Sequence, residues 1–175
     1  MSRDKGVPVI TFIGFHDSGK TTLVCRVVEQ LTARGIRLAV IKSSKDCGIC
    51  FDTPETDTAK HRAAGAQSVL FVAPDQIVLQ GPNRALSLVE LARRYFPEVD
   101  LVIGEGFKEE EGVQKIEVVR DRTKRLRGRV PGVVAVATDL DLCGENVFDL
   151  NDARGIADFL VKTVLQNRVP APAAG

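Results

Sequence analysis

The chain has 175 residues, 44% of them apolar and 27% charged, with a formal net charge of +1. Such proportions belong to a folded globular domain and exclude global disorder, which goes with few apolar residues and a large net charge. The near-neutral charge excludes a nucleic-acid binder driven by overall basicity. The length predicts one domain, expected over residues 1–168, and a flexible tail at 169–175.

Residues 7–13 form an apolar run predicted as a strand, and 14–22 are rich in Gly and Ser. Leu23, Val27, Val28 and Leu31 then recur at helical spacing, with Gly35 where a helix would stop. Residues 38–41 read as a second buried strand and 43–56 as a polar loop. Asp57 or Thr58 is the expected cap of a short helix ending near Gly65. Residues 68–73 and 76–80 flank Pro74-Asp75 as a hairpin. Residues 86–95 read as a helix ended by Pro97. Strands are expected at 101–103, 116–119 and 133–137, and a last helix at 152–165 capped by Asn151 or Asp152. This alternation predicts an α/β fold, a mostly parallel sheet covered on both faces, with the hairpin near Pro74 as its one departure. No apolar run reaches the roughly 18 residues that span a bilayer. No charged-then-apolar leader opens the sequence, so a cytoplasmic protein is expected.

The strongest motif is Gly14-Phe15-His16-Asp17-Ser18-Gly19-Lys20-Thr21-Thr22, which fits G-x-x-x-x-G-K-[ST] between a strand and a helix. The glycines let backbone N–H groups converge on phosphate oxygens, and the helix N-terminus adds positive potential. Lys20 is expected at the β- and γ-phosphates and the Thr21 hydroxyl on Mg²⁺. Gly14, Asp17, Ser18, Gly19 and Thr22 complete the nucleotide-binding set, with His16 and Asp17 in its variable part. A carboxylate is needed at the carboxyl end of a neighbouring strand, where open α/β sheets bind ligands. Glu105, just past the run 101–103 and between Gly104 and Gly106, meets that need, whereas Asp100 starts the strand and lies at its far end. In the loop after the second strand, Lys42 is a candidate for an anionic ligand, and Asp52 or Asp57 for positioning water or Mg²⁺. The alternative for these residues is a polar surface loop with Asp57 as a cap. Asp139 follows the last core strand, where a carboxylate can accept from guanine N1 and N2, donors that adenine lacks on that edge. No Gln or Arg is placed to orient water or to act as a finger.

Cys47-Gly48-Ile49-Cys50 is a C-x-x-C, and a lone pair cannot close a four-ligand zinc site. Three readings compete: reduced thiols without a role, a redox pair, or a Zn²⁺ or other metal site to which two chains contribute one pair each. Residues 120–129 carry six basic side chains in ten. They read as a solvated loop or as a patch for a phosphorylated ligand or acidic partner. The absence of interleaved aromatics disfavours a single-stranded nucleic-acid platform.

Residues 14–23, Glu105-Gly106-Phe107-Lys108, Lys115-Ile116-Glu117-Val118 with Arg120, 134–139, and Asn151-Asp152 together resemble the molybdopterin-guanine dinucleotide biosynthesis protein B (MobB) family. Asp52-Thr53-Pro54, Asp57-Thr58, Arg62 and Ala64-Gly65-Ala66 look like that family's middle motif. The resemblance implies a P-loop NTPase three-layer sandwich, a homodimer, and GTP binding with Mg²⁺ and weak hydrolysis. It also implies a partner, the guanylyltransferase that attaches GMP to molybdopterin, with the molybdenum cofactor or its apoenzymes as further partners. Gly19, Lys20, Thr21 and Thr22 carry over as phosphate and Mg²⁺ residues, Glu105 as the acidic partner, Asp139 as a guanine contact, and Lys42 matches. The sequence departs from the family at 43–50, where Ser43-Ser44-Lys45-Asp46-Cys47-Gly48-Ile49-Cys50 replaces a His-rich segment and is about one residue longer.

The expected function is therefore a GTP-binding adaptor in molybdenum-cofactor maturation, with slow hydrolysis resting on Lys20, Thr21 and Glu105. The rivals are a metallochaperone GTPase using Cys47 and Cys50, and a P-loop small-molecule kinase.

Overall fold

In the computed structural model, residues 6–165 are described. In chain order the elements are β1 (Val9–Ile13), α1 (Lys20–Thr32), β2 (Leu38–Lys42), α2 (Asp57–Ala63), β3 (Val69–Val72), β4 (Ile77–Gln80), α3 (Leu88–Tyr95), β5 (Leu101–Glu105), β6 (Gln114–Val119), β7 (Val133–Thr138), β8 (Val147–Asp149) and α4 (Ala153–Leu160). They form two compact units. One comprises the chain up to Ser44 and from Ser87 on, and the other is Lys45–Leu86.

The first unit is built on a six-stranded sheet of order β2-β5-β1-β6-β7-β8, parallel at every pairing. Period-two alternation sorts its strands into two faces. Ile10, Phe12, Leu101, Ile103, Ile116, Val118, Ala135 and Ala137 point to one face. There they bury Leu23, Val27 and Leu31 of α1 and Ile156, Ala157 and Leu160 of α4. Each large apolar side chain fully removed from water contributes about 1.5–3 kcal/mol relative to exposure. The other face carries α3 against β1. Thr11 is buried on it, and its hydroxyl donates to the carbonyls of Gly104 and Gly106, at 3.0 and 2.9 Å.

Strict alternation of strand and helix fails after β5. Loops join β5 to β6 and β7 to β8, and the β6–β7 connection holds only the 3₁₀ turn Arg122–Lys124. Two buried charges explain how loops can take the place of helices. The Lys115 ammonium donates to the carbonyls of Glu110, Pro131 and Val113, at 2.5, 2.9 and 3.4 Å. The Glu117 carboxylate accepts the backbone N–H groups of Leu126 and Arg127, at 2.5 and 2.9 Å. Both side chains are at most 1% exposed. They satisfy loop groups that burial would otherwise orphan, and the loops thereby bring Val113 and Leu126 into the core.

Several boundaries move from expectation. Thr56, not Asp57 or Thr58, caps α2 by accepting from the Ala59 N–H. Helix α3 starts at Leu88 behind a Ser87/Glu90 capping box. The short edge strand β8 was not anticipated. Asp152 caps α4 through the Gly155 N–H, as one of the two expected caps, and the helix widens to a π-helical turn at Val161–Leu165. The predicted tail at 169–175 lies outside the described residues.

The second unit holds the expected hairpin. β3 and β4 pair antiparallel from Val69↔Gln80 to Val72↔Ile77, and the Ala73 N–H closes the turn on the Gln76 carbonyl. Helix α2 packs on β3. No residue from 45 to 86 is buried. Among the described residues, no helix is long and apolar enough to cross a membrane.

Candidate functional site

The loop 14–19 leaves β1 and turns into α1. A Cβ on Gly14 would run into the Val118 carbonyl oxygen of β6 and stand 2.8 Å from the Ser18 hydroxyl, so only glycine lets the loop lie this close to its neighbour strand. Helix α1 begins behind Gly19 without a side-chain cap, leaving its first N–H groups directed outward at the loop mouth. Lys20 lies back across the loop, donating to the Phe15 carbonyl at 2.6 Å and the Ser18 hydroxyl at 3.3 Å. Burial pushes its ammonium below the ordinary lysine range, while the Glu105 charge acts in the opposite sense and Lys42 adds to the depression.

Parallel register brings the remaining groups to the same place. Phe12 and Lys42 are each paired with Glu105, so the carboxyl ends of β1, β5 and β2 stand level. Glu105 is the last residue of β5 rather than a residue beyond it, and it is 7% exposed. The Thr21 hydroxyl donates to Glu105 Oε1 at 2.5 Å, and Lys42 Nζ lies 3.3 Å from that oxygen and 3.5 Å from Thr21 Oγ1. The turn after Glu105 is locked. Gly106 takes φ 100° and has no room for a Cβ beside the Ser43 hydroxyl. Ser43 donates its N–H to the Glu105 carbonyl at 3.0 Å, and its hydroxyl accepts from the Phe107 N–H at 3.3 Å. The Glu-Gly-Phe motif is thus a device for aiming Glu105. Asp100, at the far end of β5, is bound to the Arg37 guanidinium and N–H.

β1 and β6 are neighbours whose onward connections run to opposite sides of the sheet, the switch point where open α/β sheets bind ligands. Two cavities open there. One, of about 190 Å³, is lined by loop residues Phe15 to Ser18, by Val118 to Asp121 and by Lys124. The other, of about 110 Å³, lies beside Gly19, Thr22, Leu23, Arg26, Leu150 and Asn151. Arg120, the first residue after β6, lines both. Its Nε is 3.0 Å from Asp139 Oδ2, the carboxylate after β7. Its guanidinium carbon lies 4.0 Å from where a Cβ on Gly19 would stand. Arg120 therefore stands beside this loop. The rule that singled out Glu105, a charged residue at a strand's carboxyl end, points equally to Arg120. Three other members of the basic run are engaged locally: Arg122 donates to the Asp141 carbonyl at 2.6 Å, Arg127 to the Glu145 carbonyl at 3.2 Å, and Lys124 pairs with Asp121 at 3.6 Å.

His16 and Asp17 pair with each other at 2.7 Å and are almost fully exposed. In the second unit, Asp52 spends both carboxylate oxygens. One accepts from the Thr58 hydroxyl at 2.8 Å and the other meets the Arg62 guanidinium at 2.5 Å. These bonds, Thr58 first, hold it below the usual carboxylate range. Asp57 is paired with Lys60 at 3.3 Å. Cys47 and Cys50 are exposed thiols. Among the described residues, no three His, Cys, Asp or Glu side chains stand together as a metal-binding group. Thr21 and Glu105 offer two hard oxygen ligands side by side at the loop mouth. That donor set suits Mg²⁺, which completes its shell with water and phosphate oxygens.

The family model described as "Molybdopterin guanine dinucleotide synthesis protein B" matches residues 9–139, from the start of β1 to Asp139. The chain belongs to the MobB family. It is 33% identical over 164 residues to the molybdopterin-guanine dinucleotide biosynthesis adapter protein of Escherichia coli, covering 89% of this chain and 93% of that one. It is 34% identical over 158 residues to the adapter protein of that name from Haemophilus influenzae, covering 88% of each. A crystal structure of a molybdopterin-guanine biosynthesis protein B superposes with a TM-score of 0.73 at 28% identity, over 88% of this chain and 98% of that one. A Bacillus stearothermophilus MobB homologue, at 23% identity, shares the fold with a TM-score of 0.69 over 91% and 99%. The parallel sheet flanked by helices, with its loop-then-helix phosphate motif, is the expected α/β fold of P-loop NTPase character.

Proposed function

We propose that this MobB-family chain is an adaptor of molybdopterin-guanine dinucleotide biosynthesis that works as a GTP-binding protein with slow hydrolysis. The single observation carrying the reading is the convergence of Lys20, Thr21, Glu105 and Lys42 at the mouth of the glycine loop, with Asp139 at the carboxyl end of β7. The free N–H groups of α1 would receive phosphate oxygens, and Lys20 would leave the Phe15 carbonyl for the β/γ-phosphates. Mg²⁺ bound between Thr21 and Glu105 would supply charge neutralisation at those phosphates. Positioning and charge are what Lys20, Thr21, Glu105 and the loop N–H groups would provide, and such catalysis would be slow. Asp139 would accept from guanine N1 and N2. The partner is the guanylyltransferase that joins GMP to molybdopterin, and the expected setting is the cytoplasm.

A homodimer fits the second unit. Leu70, Phe71, Val72, Ile77, Val78 and Leu79 are 39–69% exposed on a two-stranded ribbon, and such ribbons are marginal alone in water. A second copy would cover them.

Calorimetric titration of GTP against ATP with Mg²⁺, for wild type and Asp139→Ala, tests the base site. A GTP preference that collapses in the variant supports the reading; equal or tighter ATP binding overturns it and favours a small-molecule kinase. In single-turnover hydrolysis Lys20→Ala should lose the reaction, and an unchanged rate would remove Lys20 from its role.

A further inference from the structure

We propose that Arg120 couples recognition of the base to retention of the phosphates by exchanging partners, an inference that rests on the guanine-nucleotide reading of Asp139. Three observations place it there. Its guanidinium is ion-paired with Asp139 at 3.0 Å, while the two side chains are 52% and 42% exposed. A pair so open to water is worth little and is readily replaced. The same guanidinium stands 4.0 Å from the Cβ position of Gly19, beside the uncapped start of α1 where phosphate oxygens would converge. It also lines both cavities at the switch point, so its side chain can turn from one to the other without crossing packed core.

The backbone beneath it is tied down on both sides. Val119, one residue before, is buried in β6 and in register with Thr138, and Asp121, one residue after, caps the following 3₁₀ turn. The exchange asks only for rotation of the exposed arginine side chain.

A guanidinium and the N1–H, N2–H edge of guanine are both planar two-donor forks, and both suit the same carboxylate. They compete for Asp139. When guanine takes the carboxylate, Arg120 is released over Gly19, where its fork matches phosphate oxygens. Adenine has no such donor pair on that edge, so Arg120 stays on Asp139 and the phosphate contact is not made. Discrimination between the bases is then read out twice, once at the base and once at the phosphates. No covalent step is involved.

The test is displacement of a fluorescent guanine nucleotide from the full chain with Mg²⁺, using guanosine and GTP as competitors. Removing the arginine has opposite consequences for the two. Arg120→Ala should bind guanosine about two- to fivefold more tightly, because Asp139 is freed from an exposed pair, and GTP about tenfold more weakly, because a charge-assisted phosphate contact is lost. Arg120→Lys, which keeps the charge but not the fork, should show the same two signs with smaller amplitude. Changes of the same sign for both competitors, or none, overturn the exchange. If Asp139→Ala abolishes the GTP preference while Arg120→Ala changes nothing, the base site stands and the exchange falls. If Asp139→Ala leaves GTP binding intact, the base-site reading itself falls and takes the exchange with it.

Discussion

Between 45 and 86 not one residue is buried, and Ile77 is 69% exposed; across β1, β5 and β6, Phe12, Ile103 and Ile116 are wholly shielded. The two units use similar strand-forming residues to opposite ends. In the sheet unit, α1, α4 and the clamped loops remove apolar surface from water within one chain. In Lys45–Leu86 the ribbon has apolar side chains on both faces and only the short helix α2 beside it. The sheet unit buries its own apolar residues and carries the glycine loop. The ribbon displays surface that a second chain can bury.

The largest effect that sharpens this contrast is expected at Lys115. Lys115→Met removes an ammonium that satisfies three carbonyls and leaves them facing a buried methyl group. Urea unfolding should show a loss of about 3 kcal/mol or more, the scale of losing charged hydrogen bonds in a core. A loss below about 1 kcal/mol would mean that the loops over that face do not need the clamp. Next comes Gly106→Ala. It adds a Cβ where φ is 100° and the Ser43 hydroxyl already stands. A destabilisation of about 1–3 kcal/mol is expected, together with weaker GTP binding as Glu105 loses its aim. Unchanged nucleotide affinity in a folded variant would separate Glu105 from the turn.

In the second unit the Asp52 clamp gives a pH signature. Its folded pKa is depressed by Thr58 and Arg62, so its stabilisation is present above the ordinary aspartate value, about 3.9, and is lost as pH falls through the lower folded value. Amide exchange over Asp57–Ala63 should accelerate in that acid window in the wild type. In Asp52→Asn the acid-induced change should be smaller. An identical pH profile in the two proteins would remove the clamp. The smallest stability effect belongs to the ribbon. Ile77→Asp should change monomer stability by no more than about 0.5 kcal/mol, as exposed positions do. It should nevertheless shift sedimentation from dimer toward monomer. If Ile77→Asp destabilised the monomer as much as Lys115→Met, the contrast between the units would be false.

The phosphate motif, the strand before it and the helix after it were legible because local chemistry dictates them: Gly14 and Gly19 for the loop, Leu23, Val27 and Leu31 at helical spacing. The hairpin at Pro74-Asp75 was legible for the same reason. Glu105 was singled out from strand polarity, although its place inside β5 was not expected. Arg120 went unassigned because it stood at the head of a run of cations, and sequence offers no way to tell the one beside Gly19 from those that donate to the Asp141 and Glu145 carbonyls. Lys115 and Glu117 stood out only as part of the Lys115-Ile116-Glu117-Val118 resemblance, and no local pattern assigned them a clamping role.

The sequence by itself determined most of the elements, the mostly parallel α/β class and the glycine loop that leads from β1 into α1, since periodicity, glycine geometry and motif spacing act over a few neighbouring residues. Tertiary structure alone decided that Thr21, Lys42 and Glu105 meet, that Arg120 pairs with Asp139 beside Gly19, and that two buried charges let loops replace helices. Those outcomes depend on strand order and on which loop lies over which face. Both are set by contacts between residues as far apart as Thr21 and Glu105, whose mutual distance no local pattern encodes.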